Sequence, residues 1–188
     1  TDTAVINLSE NATAVTTVTS TDPELDTVRY SITGGDDASL FSIDSASGVL
    51  TFDTAPNFES PTDTGTDNIY AVIVTVSDGQ GGTDSQTLAV AITDVNEAPT
   101  LDTNTGTTVD EGSTGTVITS AMLAASDLDD TATGITYTLS IEPGNGTLRL
   151  SGVALNTNDT FTQNDIDNNR ITYDHDGSET VSDSFQFT

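Results

Sequence analysis

The sequence contains no cysteine, no tryptophan and no lysine, and each absence limits what the chain can do. Without cysteine it can form no disulfide, no thiolate metal site and no thiol nucleophile. The sequence has three arginines and 30 aspartates and glutamates, which gives a formal net charge of -27. Such a surface repels phosphate backbones and anionic lipid, so nucleic-acid binding and membrane-surface binding are disfavoured. No apolar stretch approaches the length of a membrane-spanning helix, and no membrane insertion is predicted.

The excess of acidic residues is the strongest chemical signal in the sequence. Divalent cations are the natural counter-charge, and carboxylate oxygens suit Ca²⁺ best. The alternative is that the acidity serves solubility or a salty habitat, and charge excess can also accompany disorder. However, the acids cluster at particular loops, and 34% of the residues are hydrophobic and fall in regular alternation. We therefore predict a folded chain that binds cations.

Apolar residues alternate with polar ones through most of the chain, with the period of two that is typical of strands. In the segment IYAVIVTVSDG this places four apolar side chains on one face: Tyr70, Val72, Val74 and Val76. Glycine, aspartate, asparagine and proline interrupt the alternation every eight to twelve residues or so, which favours an all-β sandwich. The exception is FTQNDIDNNR, which predicts a single helical turn with Thr162 as N-cap and Asp165 three residues later.

The two halves of the chain are weak copies of each other. LSEN at residues 8–11 is echoed by VDEG at 109–112, and residues 21–32 are echoed by 126–139. A repeat of about 100 residues with an acidic junction predicts β-sandwiches strung end to end rather than one enclosed catalytic fold. The predicted domains are residues 1–98 and 99–188.

Both halves carry segments that point to a known family. In the first half they are SENA, TDPELDTVRYSITGGDD, FSIDSASGVLTF, NFESP, VIVTVSDGQGG and ITDVNEAP. Over about residues 4–99 the chain thereby resembles a cadherin-type repeat of large bacterial surface proteins. The second-half segments are TVDEG, AASDLDD, GNGTLRLSG, FTQNDIDNNRITYDHDGSE and DSFQF. They are similar to chondroitin-sulfate-proteoglycan-type repeats, which are cadherin-like, and imply a second domain truncated before its final strand.

The resemblance implies Ca²⁺ held at the junction between the two domains. The implied ligands are Glu10, Glu59, Asp94, Asn96, Glu97, Asp127 and Asp129. By the same logic, Asp22, Glu24 and Asp78 form a half-site toward an upstream repeat. The linker is shorter than the usual animal form, so about two ions are expected rather than three.

Elementary coordination chemistry supports the same expectation. Ca²⁺ takes six to eight oxygens, more than one short loop of this type supplies, so ligands pooled from two domains complete the shell. Without metal the carboxylates repel one another, and the linker should loosen.

Other acidic and titratable residues favour simpler interpretations. DHDG at residues 174–177 lacks the glycine and glutamate of an EF-hand loop, which favours a surface turn, with a peripheral cation as the alternative. We interpret five further acids as turn formers: Asp36, Asp37, Asp53, Asp63 and Asp67. Nothing in the sequence marks a nucleophile near His175, the only histidine, so no enzyme activity is predicted.

The predicted fold is all-β, with two tandem Ig-like or cadherin-like Greek-key β-sandwiches joined end to end by a short acidic linker. The predicted function is a calcium-binding structural and adhesive module of a large bacterial protein, secreted or at the cell surface. Its predicted partners are neighbouring repeats, with surface polysaccharide or another cell-surface protein as candidates. A calcium-dependent carbohydrate-binding module is the alternative, which the absence of tryptophan weakens because sugar platforms usually need exposed aromatic faces.

Overall fold

The structure, a computed structural model, describes residues 3–188 and divides into two compact units. Unit 1 extends to Val95 and unit 2 begins at Asn96. The all-β prediction is confirmed, whereas the predicted domain boundary between residues 98 and 99 stays a prediction. In the described part of the chain, no helix has the length and apolar character needed to cross a membrane.

Unit 1 is a sandwich of two sheets around one apolar core. Its strands are β1 (Thr3–Ser9), β2 (Ala14–Thr17), β3 (Arg29–Gly34), β4 (Phe41–Ile43), β5 (Val49–Phe52), β6 (Ile69–Ser77) and β7 (Thr83–Thr93), with a 3-10 turn at Ala38–Leu40. One sheet has the order β1-β7-β6-β3, in which only β1 and β7 are parallel, and the other has the order β2-β5-β4. The core contains Tyr70, Val72 and Val74 as the alternation predicts.

The turn between β6 and β7 shows why aspartate and glycine end these strands. Asp78 Oδ1 accepts hydrogen bonds from the backbone N–H groups of Gln80, Gly81 and Gly82, at 2.7–3.1 Å. Gly79 and Gly81 have φ of +75° and +116°, which glycine adopts without the steric cost that a side chain would add. The strand pair is thereby closed into a hairpin, and its register is fixed.

Unit 2 contains shorter strands and the chain's α-helical turn. Its elements are β8 (Thr100–Asn104), β9 (Thr116–Val117), β10 (Leu123–Ser126), β11 (Thr136–Ile141), β12 (Gly146–Leu150), β13 (Val153–Ala154), β14 (Thr160–Thr162), α1 (Gln163–Asp167), β15 (Ile171–His175) and β16 (Gln186–Phe187). They form sheets of order β10-β8, β14-β11-β16 and β13-β12-β15-β9. The core includes Tyr137 stacked on Phe161, with ring centroids 5.0 Å apart.

The predicted helical turn is confirmed with its cap. Thr162 Oγ1 accepts from the Asp165 N–H, and Asp165 Oδ2 accepts from the Thr162 N–H at 2.9 Å, which is a capping box. Arg170 Nη1 lies 2.9 Å from Asp165 Oδ1. Burial raises the pKa of Asp165, but hydrogen bonds from Thr162 and the Arg170 charge outweigh it and leave the pKa below its usual value.

Asp165→Asn is expected to lower the free energy of unfolding of unit 2 by about 1–2 kcal/mol at neutral pH. Because the folded pKa lies below the unfolded one, the Asp165 carboxylate stabilises fully above about pH 4 and progressively less as pH falls through the folded pKa. Urea unfolding at several pH values measures this, and the variant should lose part of the acid dependence. Glu179→Gln, at an exposed position, is the control, and an equal effect of both variants would contradict the capping role.

Candidate metal centre

Glu10 forms the buried base of an acidic cluster in unit 1. It directly follows β1, and its side chain is 3% exposed. Glu10 Oε1 accepts from the Val95 N–H and Oε2 from the Phe58 N–H, both at 2.9 Å. A single carboxylate thus ties the segment after β7 to the loop between β5 and β6.

Glu59 is the least satisfied of the acidic residues described here. Both its carboxylate oxygens are buried, and no residue in the described part of the chain donates a hydrogen bond to either of them. An oxygen of Glu59 lies within 4.8 Å of an oxygen of Glu10, and likewise of Asp94. Two unit charges at that separation repel by about 3 kcal/mol at an effective dielectric constant of 20.

Unit 1 has little positive charge of its own to offset this cluster. Its sequence supplies one basic residue, Arg29, at the start of β3. Arg29 is paired with Ser77, at the opposite end of the sheet from Thr93, the residue beside Asp94. The arginine therefore lies away from the cluster.

The separations of Glu59 from Glu10 and of Glu59 from Asp94 each fit a shared Ca²⁺. Two oxygens that each lie about 2.4 Å from one ion are at most about 5 Å apart, and the separations of 4.8 Å or less satisfy this limit. A buried carboxylate without donors is costly unless a cation compensates it. Unit 1 therefore offers hard oxygen ligands with an unmet need for positive charge.

Unit 2 brings together the remaining predicted ligands from two segments, its first residues 96–97 and the turn 127–129 after β10. Asp129 Oδ2 accepts from the Glu97 N–H at 2.7 Å, and Asn96 Nδ2 donates to the Glu97 carbonyl at 2.5 Å. Asp127 Oδ1 accepts from the N–H groups of Asp129 and Asp130 at 2.9 and 3.0 Å. Asp127 thus shapes the turn that presents Asp129 to the segment 96–97.

The carboxylates of the predicted upstream half-site are not gathered as closely as those around Glu59. Asp22 Oδ1 accepts from the Glu24 and Asp26 N–H groups, and Asp78 closes the β6–β7 turn. Among the residues that the structure describes, Asp22, Glu24 and Asp78 do not form a group with carboxylate oxygens within 4.8 Å of one another. This half-site stays a prediction.

The DHDG segment is half strand and half loop, since Asp174 and His175 end β15 and only Asp176 and Gly177 lie beyond it. Asp174 forms an ion pair with Arg149 at 2.5 Å and accepts from the Gly115 N–H, and these contacts hold the pKa of Asp174 below its usual value. His175 Nδ1 accepts from the N–H groups of Gly112 and Gly177. These side chains fix neighbouring loops from the end of a strand, so the surface-turn prediction is wrong for Asp174 and His175.

Asp37 has a long-range role, and its interpretation as a local turn former is wrong. Its buried carboxylate accepts from Thr64 N–H, Thr64 Oγ1 and Ala71 N–H, at 2.7–2.9 Å. Asp37 therefore anchors the end of the loop that carries Glu59. Asp63 is local as predicted, since it accepts from the N–H groups at 67 and 68. No sequence signal separates Asp37 from the exposed Asp36 beside it.

Comparison with known protein families covers nearly the whole chain. Residues 4–93 match the cadherin domain, and residues 99–188 match a family described as cadherin-like. Mouse extracellular matrix organizing protein FRAS1 is 39% identical over 106 residues, which are 55% of this chain and 3% of that protein. Human protocadherin-15 is 39% identical over 84 residues, 44% of this chain and 4% of that protein. The chain thus spans a very small part of the curated relatives it matches.

Solved structures match the fold of the chain at low sequence identity. Human protocadherin-24 EC1-2 gives a TM-score of 0.55 at 20% identity and covers 94% of this chain and 75% of its own. Drosophila N-cadherin EC1-4 gives 0.53 at 20% identity, with 94% and 40% covered. At this level of identity the match establishes fold only.

Proposed function

Because the chain is built of two tandem cadherin-like domains, we propose that it is a calcium-binding structural and adhesive module of a long extracellular or cell-surface protein. The extracellular matrix and protocadherin relatives support this setting. Both matched families are of the cadherin type, whose domains are structural and adhesive modules. The bacterial source and the proteoglycan-type resemblance stay predictions, since the matched relatives named above are animal proteins.

The observation that carries the proposal is the Glu59 carboxylate. It is buried, it receives no hydrogen bond from the described residues, and it lies within 4.8 Å of Glu10 and Asp94 oxygens. Glu10 accepts hydrogen bonds from two backbone amides. Its remaining lone pairs can bind a further, electropositive partner. A divalent cation that Glu59 shares with Glu10, or with Asp94, would supply this partner.

We propose further that the acids of unit 2 belong to the same calcium-binding set. Asn96 and Glu97 follow Asp94 closely in sequence, and the turn that carries Asp127 and Asp129 is hydrogen-bonded to Glu97. Ligands drawn from both units would fix the linker when Ca²⁺ is bound and release it when Ca²⁺ is removed. The module would then be stiff outside cells, and its partners would be neighbouring repeats and other cell-surface proteins.

The carbohydrate-binding alternative receives no support from the aromatic residues. All four tyrosines are buried, at 1–8% exposure: Tyr30, Tyr70, Tyr137 and Tyr173. Phe41, Phe52 and Phe161 are buried as well. Sugar platforms need exposed aromatic faces, so a polysaccharide partner stays only a prediction.

Calcium titration by calorimetry tests the proposal. The chain is expected to bind about two ions with dissociation constants near 10⁻⁴ to 10⁻³ M or tighter. Glu59→Gln keeps the size of the side chain but removes its charge, and should weaken binding at least about 10-fold. Asp36→Asn is the matched control in unit 1, at an exposed acid, and should change little. Absence of calcium binding, or identical binding by Glu59→Gln, would overturn the assignment.

A further inference from the structure

Asn68 lies at the base of the loop that carries Glu59. It directly precedes β6, and its backbone has a φ of +63°, a left-handed conformation that asparagine and glycine adopt more readily than other residues. Its side-chain Nδ2 donates to the carbonyl of Phe58, the residue before Glu59, at 2.8 Å. Because residues 58 and 68 flank the loop, this bond closes the loop at its base.

Phe58 is thereby held by two side chains, one on each of its backbone polar groups. Its N–H donates to Glu10 Oε2 at 2.9 Å, and its C=O accepts from Asn68 Nδ2. Its own ring packs against the core of unit 1. Glu59 follows directly in the chain, so the place of its carboxylate depends on how Phe58 is held.

The backbone of Asn68 joins the same loop to the strand that leads to Asp94. The Asn68 C=O accepts from the Ile92 N–H at 2.9 Å, and the Asn68 N–H donates to Asp63 Oδ1 at 3.1 Å. Ile92 lies in β7, two residues before Asp94. One residue thus contacts both the segment that precedes Glu59 and the strand that precedes Asp94.

The two polar atoms of the Asn68 amide differ in their contacts. Nδ2 has the Phe58 carbonyl as its acceptor, whereas Oδ1 is buried and receives no hydrogen bond from the residues that the structure describes. An aspartate in this place would have two oxygens and, when ionised, no donor. It would keep the oxygen and lose the bond to Phe58.

We propose that Asn68 is a positioning residue for the calcium site of unit 1, and that its bond to Phe58 sets where the Glu59 carboxylate lies among the other acids of the cluster. This inference rests on the proposed calcium function. Oxygens that share one Ca²⁺ lie within about 5 Å of each other, and a ligand already held in place loses less conformational freedom when the ion binds. Without the Asn68 amide, the ion itself must order the turn that carries Glu59, and its affinity falls.

Asn68→Asp separates this role from direct contact with the ion. If Asn68 Oδ1 were a ligand, a carboxylate in its place would bind calcium more tightly, because affinity rises with the number of charged ligands. The positioning role predicts the reverse, since an oxygen would then face the Phe58 carbonyl in place of a donor. Adding an acid to the calcium site is therefore expected to weaken calcium binding.

Calorimetric calcium titration of the whole 188-residue chain measures these affinities. Asn68→Gly keeps the left-handed backbone and removes the amide, and it should bind calcium about 3- to 10-fold more weakly, as the loss of one hydrogen bond predicts. Asn68→Asp should lose at least as much. Asn158, exposed in unit 2 with a φ of +75°, is the matched control, and Asn158→Gly and Asn158→Asp should bind within about 2-fold of the native chain.

Two further measurements show whether Asn68 acts through Glu59. The luminescence decay of bound Tb³⁺ in H₂O and in D₂O reports the water molecules on the ion, and Asn68→Gly should add about as many as Glu59→Gln adds. The double variant should bind calcium as Glu59→Gln alone does, because residues that act as one unit are not additive. A general loosening of unit 1 would lower the melting temperature and leave the hydration of the bound ion unchanged.

The proposal is overturned if Asn68→Asp binds calcium as tightly as the native chain or more tightly. It is also overturned if Asn68→Gly changes neither affinity nor bound water, or if its effect adds fully to that of Glu59→Gln. If Asn68→Asp unfolds unit 1, Asn68→Gly decides alone. These results leave the proposed calcium function standing when the native chain binds calcium and Glu59→Gln binds it more weakly, whereas a native chain that binds no calcium overturns both proposals.

Discussion

Calcium is expected to raise the melting temperature of unit 1 by about 10–20 °C, and Glu59→Gln is expected to remove most of that rise. A ligand at 100 times its dissociation constant stabilises the folded state by about 2.7 kcal/mol. In a domain of this size, 1 kcal/mol shifts the melting temperature by about 4–8 °C. Loss of the Glu59 charge removes the ligand whose oxygens have no donor among the described residues.

The same variant should have the opposite effect when calcium is removed. In chelator, the Glu59 charge only repels the carboxylates of Glu10 and Asp94, so Glu59→Gln should melt at the same temperature as the native chain or higher. This reversal of sign separates metal binding from a general packing role. Scanning calorimetry in calcium and in chelator measures it, with Asp36→Asn as the control. Destabilisation of Glu59→Gln by equal amounts in both buffers would contradict the calcium account.

Asp37→Ala is expected to lower the free energy of unfolding of unit 1 by about 3 kcal/mol, independently of calcium. The substitution leaves the N–H groups of Thr64 and Ala71 and the Thr64 hydroxyl without their acceptor, in bonds that are partly buried. These bonds join Asp37 to Thr64 and Ala71, which lie 27 and 34 residues later in the chain. Their loss should also loosen the loop that holds Glu59 and thereby weaken calcium binding.

Asp36→Ala is the matched control for this prediction. Asp36 is adjacent in sequence, equally charged and exposed, so its loss should cost less than about 0.5 kcal/mol. Urea denaturation in chelator gives the free energies, and calorimetric titration then gives calcium affinity. If both alanine variants unfold at the same urea concentration, Asp37 does not anchor the loop as its hydrogen bonds indicate.

Local features of the fold could be predicted from the sequence because local patterns determine them. Alternation placed Tyr70, Val72 and Val74 in the core, since successive side chains of a strand point to opposite faces. The spacing of Thr162 and Asp165 identified the capping box, since both partners lie in one helical turn. The acid cluster at Glu10, Glu59 and Asp94 was accessible only through the family resemblance.

Contacts between distant segments could not be predicted from the sequence. Asp36 and Asp37 are identical as residues, and only the fold decides that Asp37 points inward to Thr64 and Ala71. The burial of Glu59 likewise depends on how the loop between β5 and β6 packs.

Small-angle X-ray scattering in saturating calcium and in chelator tests most directly whether calcium links the two units. The account predicts the scattering of one stiff particle in calcium and of a flexible pair of units in chelator. Asp94→Ala combined with Asp127→Ala, which removes one proposed ligand from each unit, should give the flexible profile in both buffers. Identical profiles of the native chain with and without calcium would show that the acidic junction is a solvated hinge and would contradict the account.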